Sequence, residues 1–431
     1  MDNLFLSPGI RYTCIRCGAC CRSLEVTLTE AEHELLAKHD WTTEVPDATP
    51  ARLFARIRGA RGKQVWRLRP QPSGACAFLT DDNLCRVHSR LGYAAKPFAG
   101  RLFPFSLVVT PVGVFVGCRF NCPAVVRGIG ADIEQQRGEI KRLFEEYART
   151  YTPPSEGGEV RFFARYKLGW RDVLGIEDQL LAFLLVPDLA VPRRLFACWL
   201  LVRQFVSQAV RPREGQRVGA DPQAVLERAR AAETGRKLSA MERLMLRLTV
   251  AAFVGASPHA VRERSLVGRL GTRLGNLWRR CKMAAGRGRV RLPGIEGCVR
   301  LRDVASLDLA ALDAASAEML QRYLVAKLTS QEFFGVACFG RSFAEGFEFL
   351  ALSYVAILWL AGAHALGAGR RQVESADVEY GIRTVDFGYN YLGELGGFAA
   401  RSRSALLWHW DTAGKALLSF SGRKSGGGSP S

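Results

Sequence analysis

The sequence predicts an α+β protein: a small cysteine-rich N-terminal metal or cluster domain with short strands, packed on a larger, mainly α-helical C-terminal domain. Three observations carry this. Of the twelve cysteines, Cys14, Cys17, Cys20, Cys21, Cys76, Cys85, Cys118 and Cys122 all fall in the first third of the chain. Short β-rich runs punctuated by turn residues fill that same region. From about residue 133 onward the apolar positions recur at helical period. At 431 residues the chain exceeds what a single core usually serves. We therefore expect a cysteine-rich domain over 1–132, a helical domain over 133–420 and a disordered Gly/Ser-rich basic tail over 421–431.

The elements follow in order. Residues 24–27 alternate like a short strand, and Thr29 with Glu32 forms a capping box that opens a helix through His39. The prolines from 46 to 50 break the chain, and 64–68 reads as a strand. Asp81, Asp82 and Asn83 favour a turn that folds Cys76 and Cys85 toward one another, with His88 nearby. The runs 103–109 and 114–120, joined across Pro111 and Gly113, have hairpin grammar. Residues 139–147 are amphipathic, and the Pro- and Gly-rich stretch 153–158 marks a boundary or hinge. Helices are predicted over 195–210, 224–232, 239–253, 316–328, 343–366 and 375–395, with Ser239 and Glu242 forming a second capping box. The run 349–367 approaches membrane-spanning length, but its Ser353, Tyr354 and His364 favour a buried core helix.

Hydrophobic residues make up 48% of the chain and charged residues 23%, which excludes a disordered protein. The net charge of +19 predicts attraction to anionic partners: nucleic acid, a membrane surface or an acidic protein. Its focus is 262–302, where Leu266, Leu270, Leu274 and Leu277 recur at helical spacing beside Arg269, Arg273, Arg279, Arg280 and Lys282. Such a helix can lie on an anionic surface, bind nucleic acid, or present a solvated charged face over the core; the last is the expectation. The start of the chain lacks the basic segment and apolar run of a secretory signal, so a reducing, cytoplasmic setting is expected. There, clustered thiols serve metals or iron–sulfur centres rather than disulfides.

Four thiols between residues 14 and 21 are too crowded to be packing residues. Soft thiolates bind zinc or iron–sulfur centres, and Cys-x-x-Cys spacing brings two sulfurs to one ion from a single loop. Zinc takes about four ligands. Adjacent Cys20 and Cys21 rarely serve one site together, which implies more than one centre or one idle thiol. The expected ligands are Cys14, Cys17, Cys20, Cys21, Cys76 and Cys85, with His88, Cys118 and Cys122 as further candidates. Cys198, Cys281, Cys298 and Cys338 are scattered and are not expected to be ligands.

The pattern Cys14-x-x-Cys17-x-x-Cys20-Cys21, followed by Cys76 with Phe78 and Leu79, by Leu84-Cys85 with Val87 and His88, and by Phe103-Pro104, resembles the YkgJ-type cysteine-cluster family of zinc- or iron-chelating domains. Downstream, Leu91-Gly92, Tyr323-Leu324, Phe333 to Gly335, Tyr354 to Ala356 and a closing helix over 377–392 resemble the flagellin lysine N-methylases of that superfamily. That resemblance implies a cysteine-bound iron–sulfur centre, S-adenosylmethionine as methyl donor and a flagellin-like protein substrate acting through its lysines. One position departs from the pattern: Gly100 stands where the family carries a cysteine shortly before Phe-Pro.

No independent motif for methyl transfer accompanies the resemblance. Gly128 and Gly130 lie in no convincing strand-turn-helix unit of the dinucleotide-binding kind. The spacing of Cys118 and Cys122 is followed by Val125, where a radical enzyme would place a third thiol. A lysine methylase needs a base in a desolvated pocket. Glu348, Asp386, Tyr389 and Tyr391 are the candidates, although residues at such spacing more often pack the core.

Overall fold

The chain opens with two short strands, β1 (Leu4–Leu6) and β2 (Arg11–Tyr12), and a five-residue helix, α1 (Ala19–Ser23). After β3 (Thr27–Leu28), α2 (Glu30–Ala37) starts with the expected capping box: Thr29 Oγ1 accepts from the Glu32 amide, and Glu32 accepts from the Thr29 amide at 2.8 Å. Next come α3 (Pro50–Leu53), β4 (Phe54–Arg58), β5 (Gln64–Leu68), α4 (Arg86–Leu91) and α5 (Phe98–Leu102). The predicted hairpin is formed by β6 (Phe105–Thr110) and β7 (Gly113–Cys118), with Phe105 opposite Cys118. This computed structural model describes residues 3–420 apart from 46–47, 59–63, 72, 152, 211–219, 235–236 and 256–265. The tail 421–431, the start of the break at Pro46 and the first part of the basic segment, 262–265, lie outside the described residues.

Helices dominate the remainder. They begin with α6 (Pro123–Arg127), and β8 (Ala131–Asp132) leads into α7 (Arg137–Thr150). The antiparallel pair β9 (Glu159–Phe163) and β10 (Tyr166–Gly169) introduces α8 (Trp170–Leu184), α9 (Val191–Val210), α10 (Pro222–Ala231), α11 (Ala240–Phe253) and α12 (Leu266–Ala285). After the two-residue strands β11 (Arg289–Val290) and β12 (Val299–Arg300) come α13 (Leu301–Val304), α14 (Ala314–Thr329), α15 (Phe343–Gly367), α16 (Ser375–Tyr391), α17 (Phe398–His409) and α18 (Thr412–Ser419). The fold is thus strands and small helices first, then a helical bulk, as the change of period predicts. The strand expected at 24–27 begins only at Thr27. β1 and β4 were not anticipated, and both exist by pairing: β1 lies parallel on the open edge of β7, and β4 flanks β5.

Two hydrophobic cores result. The smaller holds the sheet β3-β5-β4 against α2, centred on Trp41, Phe78 and Val87. The larger takes in the β6–β7 hairpin together with the helices. Its axis is α15, the one described helix long and apolar enough to cross a membrane, and 83% of its apolar window is buried in protein. That burial bears out the core-helix reading. Gly381 of α16 lets the two helices close up, since a Cβ there would lie 2.5 Å from Ile357 O of α15.

A buried charge network ties the hairpin to the helices. Lys327 Nζ of α14 lies 2.7 Å from Glu332 and 2.6 Å from Asp386 of α16. Arg119, just past β7, pairs with Glu332 at 2.9 Å, and the Asn121 amide donates to Asp386 Oδ2 at 2.9 Å. Arg127 of α6 adds a pair with Glu379 at 2.7 Å. The segment carrying Cys118 and Cys122 is therefore held from below by ion pairs.

Candidate metal centre

Each thiol is placed by local backbone chemistry. Pairing of β2 with β8, extended by the Thr13 amide donating to Ile129 O at 2.9 Å, anchors the chain just before Cys14. Gly18, at φ +68, turns the loop into α1 and so delivers Cys17, Cys20 and Cys21 within one turn of backbone. Any other residue would be strained at this φ, and its Cβ would have to displace the Arg22 guanidinium and Asn83 Oδ1, which lies 2.6 Å away.

The second half of the site is brought in as the Asp-Asp-Asn turn predicts. Asn83 has positive φ, the Thr80 amide donates to Leu84 O at 2.9 Å, and Leu79 bridges to Cys85. Cys85 then caps α4. Two bonds stitch the halves together: the Cys76 amide donates to Cys21 O at 2.7 Å, and Arg22 donates to Asn83 Oδ1 at 2.5 Å. Arg22 also donates to Cys17 O at 3.2 Å.

The thiols divide into two overlapping groups. Cys20 and Cys21 lie 3.8 Å apart, sulfur to sulfur. Cys21 is pushed up by its hydrogen bond with Cys20, by burial and by the proximity of Cys20, Cys76 and Cys85. Around Tyr12 stand Cys14, Cys122 and Cys20, and Cys122 in turn neighbours Cys20 and Cys17. Cys20 thus neighbours Cys21 and Cys76 as well as Cys122. Burial pushes Cys76 up to about 12 and Cys122 up to about 11, so both hold their protons at neutral pH. Cys20 is drawn down to about 7, chiefly by the hydrogen bond with Cys21 and, against burial, by the Lys96 ammonium.

Among the described residues no three His, Cys, Asp or Glu side chains already stand at coordinating distance. The donor set nonetheless fits a thiophilic ion: soft sulfurs converge from four segments, and their raised thiols would surrender protons to a divalent charge. Two further candidates differ in setting from these thiols. Cys118 is buried, with Glu332 and Cys122 as neighbours that raise its thiol further after burial itself. His88 is exposed on α4, its ring edge-on to Tyr93 at 5.7 Å. The position of the missing thiol also becomes intelligible: a Cβ on Gly100 would meet the Lys96 side chain at 3.1 Å, the same lysine whose ammonium acts on Cys20.

Residues 13–123 match the model of the CxxCxxCC family, described as "Putative zinc- or iron-chelating domain". The matched stretch contains all eight clustered cysteines and ends beside Cys122. An uncharacterized protein of Methanocaldococcus jannaschii is 24% identical over 184 residues, covering 40% of this chain. The chain spans 59% of the length of that relative. No solved structure matches.

The four scattered thiols behave as packing or surface residues. Cys198 is buried and donates to Leu180 O at 3.3 Å; Cys338 is buried; Cys281 and Cys298 are exposed. The candidate bases are likewise engaged. Asp386 is committed to Lys327, Tyr389 packs on Phe253 and Phe349, burial holds the Tyr391 phenol up, and Glu348 accepts from Trp199 Nε1 at 2.7 Å. The sequence offered no sign of what does border the thiol domain: a cleft of about 570 Å³ between Ser23, Asn121 and Arg127 on one side and His364, Tyr380 and Arg383 on the other. Asp377 holds His364 Nδ1 at 2.5 Å, and Asn121 Oδ1 is buried there without a partner.

Proposed function

We propose that this chain binds zinc or iron through thiolates of its N-terminal domain, in two adjoining positions that share Cys20. What supports the reading is the family match over 13–123 together with the nearness of Cys20, Cys76 and Cys85 to Cys21 and of Cys17 and Cys20 to Cys122, enough thiols for sites of about four ligands. Cys21, Cys76 and Cys85 serve one position, Cys14, Cys17 and Cys122 the other. Cys118 and His88 lie outside this set. In this reading adjacent Cys20 and Cys21 both serve the first position, and Cys20 also reaches the second. An iron–sulfur centre uses the same thiols with inorganic sulfide added.

A second reading, methyl transfer from S-adenosylmethionine to the lysines of a flagellin-like protein, is supported by the family resemblance and by the cleft that borders the thiol domain. In that reading His364, oriented by Asp377, is the group placed to take a proton from the attacking lysine.

Metal and sulfide analysis of anaerobically purified protein tests the first reading. Zinc or iron is expected in stoichiometric amount, with sulfide only if a cluster is present. Cys76→Ser with Cys85→Ser and Cys14→Ser with Cys17→Ser should each lower the metal content, and the quadruple variant should hold none, whereas Cys198→Ser should match the parent. Full retention by the quadruple variant refutes the ligand assignment. Methyl label from S-adenosylmethionine that fails to reach any lysine of an added protein, with the metal in place, removes the second reading and leaves the first.

A further inference from the structure

Helix α12 is built inside out. At 100° per residue, Val267, Leu270, Leu274, Leu277 and Trp278 share an arc of about 100°, and that arc points to solvent: Val267 is 81% exposed, the three leucines 58% each and Trp278 65%. The face turned toward α11 carries Thr272, Asn276 and Met283 instead. This overturns the expectation of a charged face over a leucine-lined core. Polar side chains satisfy themselves inward, with Thr272 donating to Gly268 O at 2.7 Å, while the leucines and tryptophan are left outside.

The charges on the helix itself and in the loop that follows it are of one sign. Every charged residue from 266 to 295 is Arg or Lys, and the exposed Arg287, Arg289 and Arg291 follow the helix directly. On the helix, Arg273 and Arg280 lie on one border of the stripe and Lys282 on the other, with Lys282 Nζ 5.1 Å from the Trp278 ring. Arg280 pairs with Glu394, which brings alongside the turn that leads to Phe398, the most exposed large hydrophobe described at 87%.

We infer that this face docks on an anionic lipid surface, with the stripe entering the headgroup boundary and the basic border reaching the lipid phosphates. An apolar face with Trp, a predominantly basic margin and a polar back are what an interfacial helix requires. A second copy of the chain would bring two basic margins together, and a nucleic acid offers nothing to a row of leucines.

Vesicle flotation tests this. The full chain should float with phosphatidylcholine vesicles containing 30% phosphatidylglycerol and remain largely unbound with pure phosphatidylcholine. Leu274→Glu with Leu277→Glu should abolish flotation. Arg287→Gln, Arg289→Gln and Arg291→Gln together should weaken it by about a hundredfold, at roughly fivefold per charge near the surface. Because these side chains are exposed, metal content and helical circular dichroism should match the parent. Absence of flotation with anionic vesicles, or equal flotation of the leucine variant, overturns the inference. So does a dimer in lipid-free solution that the leucine variant dissolves, which would assign the face to a second copy.

Discussion

Replacement of Lys327 by Met tests whether the thiol-bearing hairpin is held by the buried charges beneath it. Lys327 is 1% exposed, Glu332 4% and Asp386 0%. Removing the cation from a buried group of this kind costs about 3–5 kcal/mol, because carboxylates are left without compensation in a poorly solvated site. The lower end applies here: Glu332 retains Arg119 at 2.9 Å, and Asp386 retains the Asn121 amide at 2.9 Å and Asn390 Nδ2 at 3.3 Å. With a urea slope of about 3 kcal/mol/M for a chain of this size, about 3 kcal/mol lowers the unfolding midpoint by about 1 M. Adding Asp386→Asn should restore at least half of the loss, since the uncompensated charge is then gone. The pH profile supplies a second readout. Burial works against the Glu332 carboxylate, but Lys327 and Arg119 outweigh it and hold it near 2 instead of 4.5. Its contribution is therefore present above about pH 4.5 and lost as pH falls toward 2, and the Met variant, with less of that contribution to lose, should show a shallower acid limb than the parent. A midpoint shift below about 0.2 M, or an unchanged acid limb, refutes the account.

Metal affinity should rise with pH, because Cys21 and Cys76 are both held protonated by burial and by neighbouring thiols. Displacing at least those two protons makes zinc affinity increase by a hundredfold or more per pH unit, on the order of one decade per proton, between pH 6 and 8; calorimetry in buffers of different ionisation enthalpy measures the protons released, and a pH-independent affinity contradicts the thiol placement. Gly18→Ala should fold, with unchanged helical circular dichroism, yet lose metal to a chromophoric chelator at about tenfold lower chelator concentration. A left-handed backbone costs alanine about 1–2 kcal/mol, and its Cβ displaces the Arg22–Asn83 link that joins the halves of the site.

The legible parts of the fold were those in which local chemistry and tertiary context agree. The capping boxes at Thr29 and Ser239, the hairpin turn after Thr110 and the buried helix Phe343–Gly367 all follow from short-range rules, and the structure contains each of them. The strand Leu4–Leu6 was illegible because a three-residue segment becomes a strand only when a partner edge is available, and its partner lies far off at Val114–Val116, whereas Phe54–Arg58 becomes a strand on the neighbouring edge Gln64–Leu68. The buried network was hidden because its members come from distant parts of the chain: Lys327, Glu332 and Asp386 meet Arg119 and Asn121 only once the hairpin is packed on the helices.

The site shows the same limit in another form. Spacing alone assigned the thiols to metal chemistry, because no packing role accounts for four cysteines in eight residues. It could not say which thiol faces which, since that depends on the Cys76 amide meeting Cys21 O and on Tyr12 standing beside Cys14 and Cys122. Helix α12 carries the limit furthest. A period of 3.6 finds an apolar stripe but not the direction it points, and here Thr272, Asn276 and Met283 take the inner side that leucines usually occupy. A sequence that spends its leucines and a tryptophan on solvent while surrounding them with arginine is specifying a surface to be covered, and the basic margin restricts what can cover it to something anionic with an apolar interior.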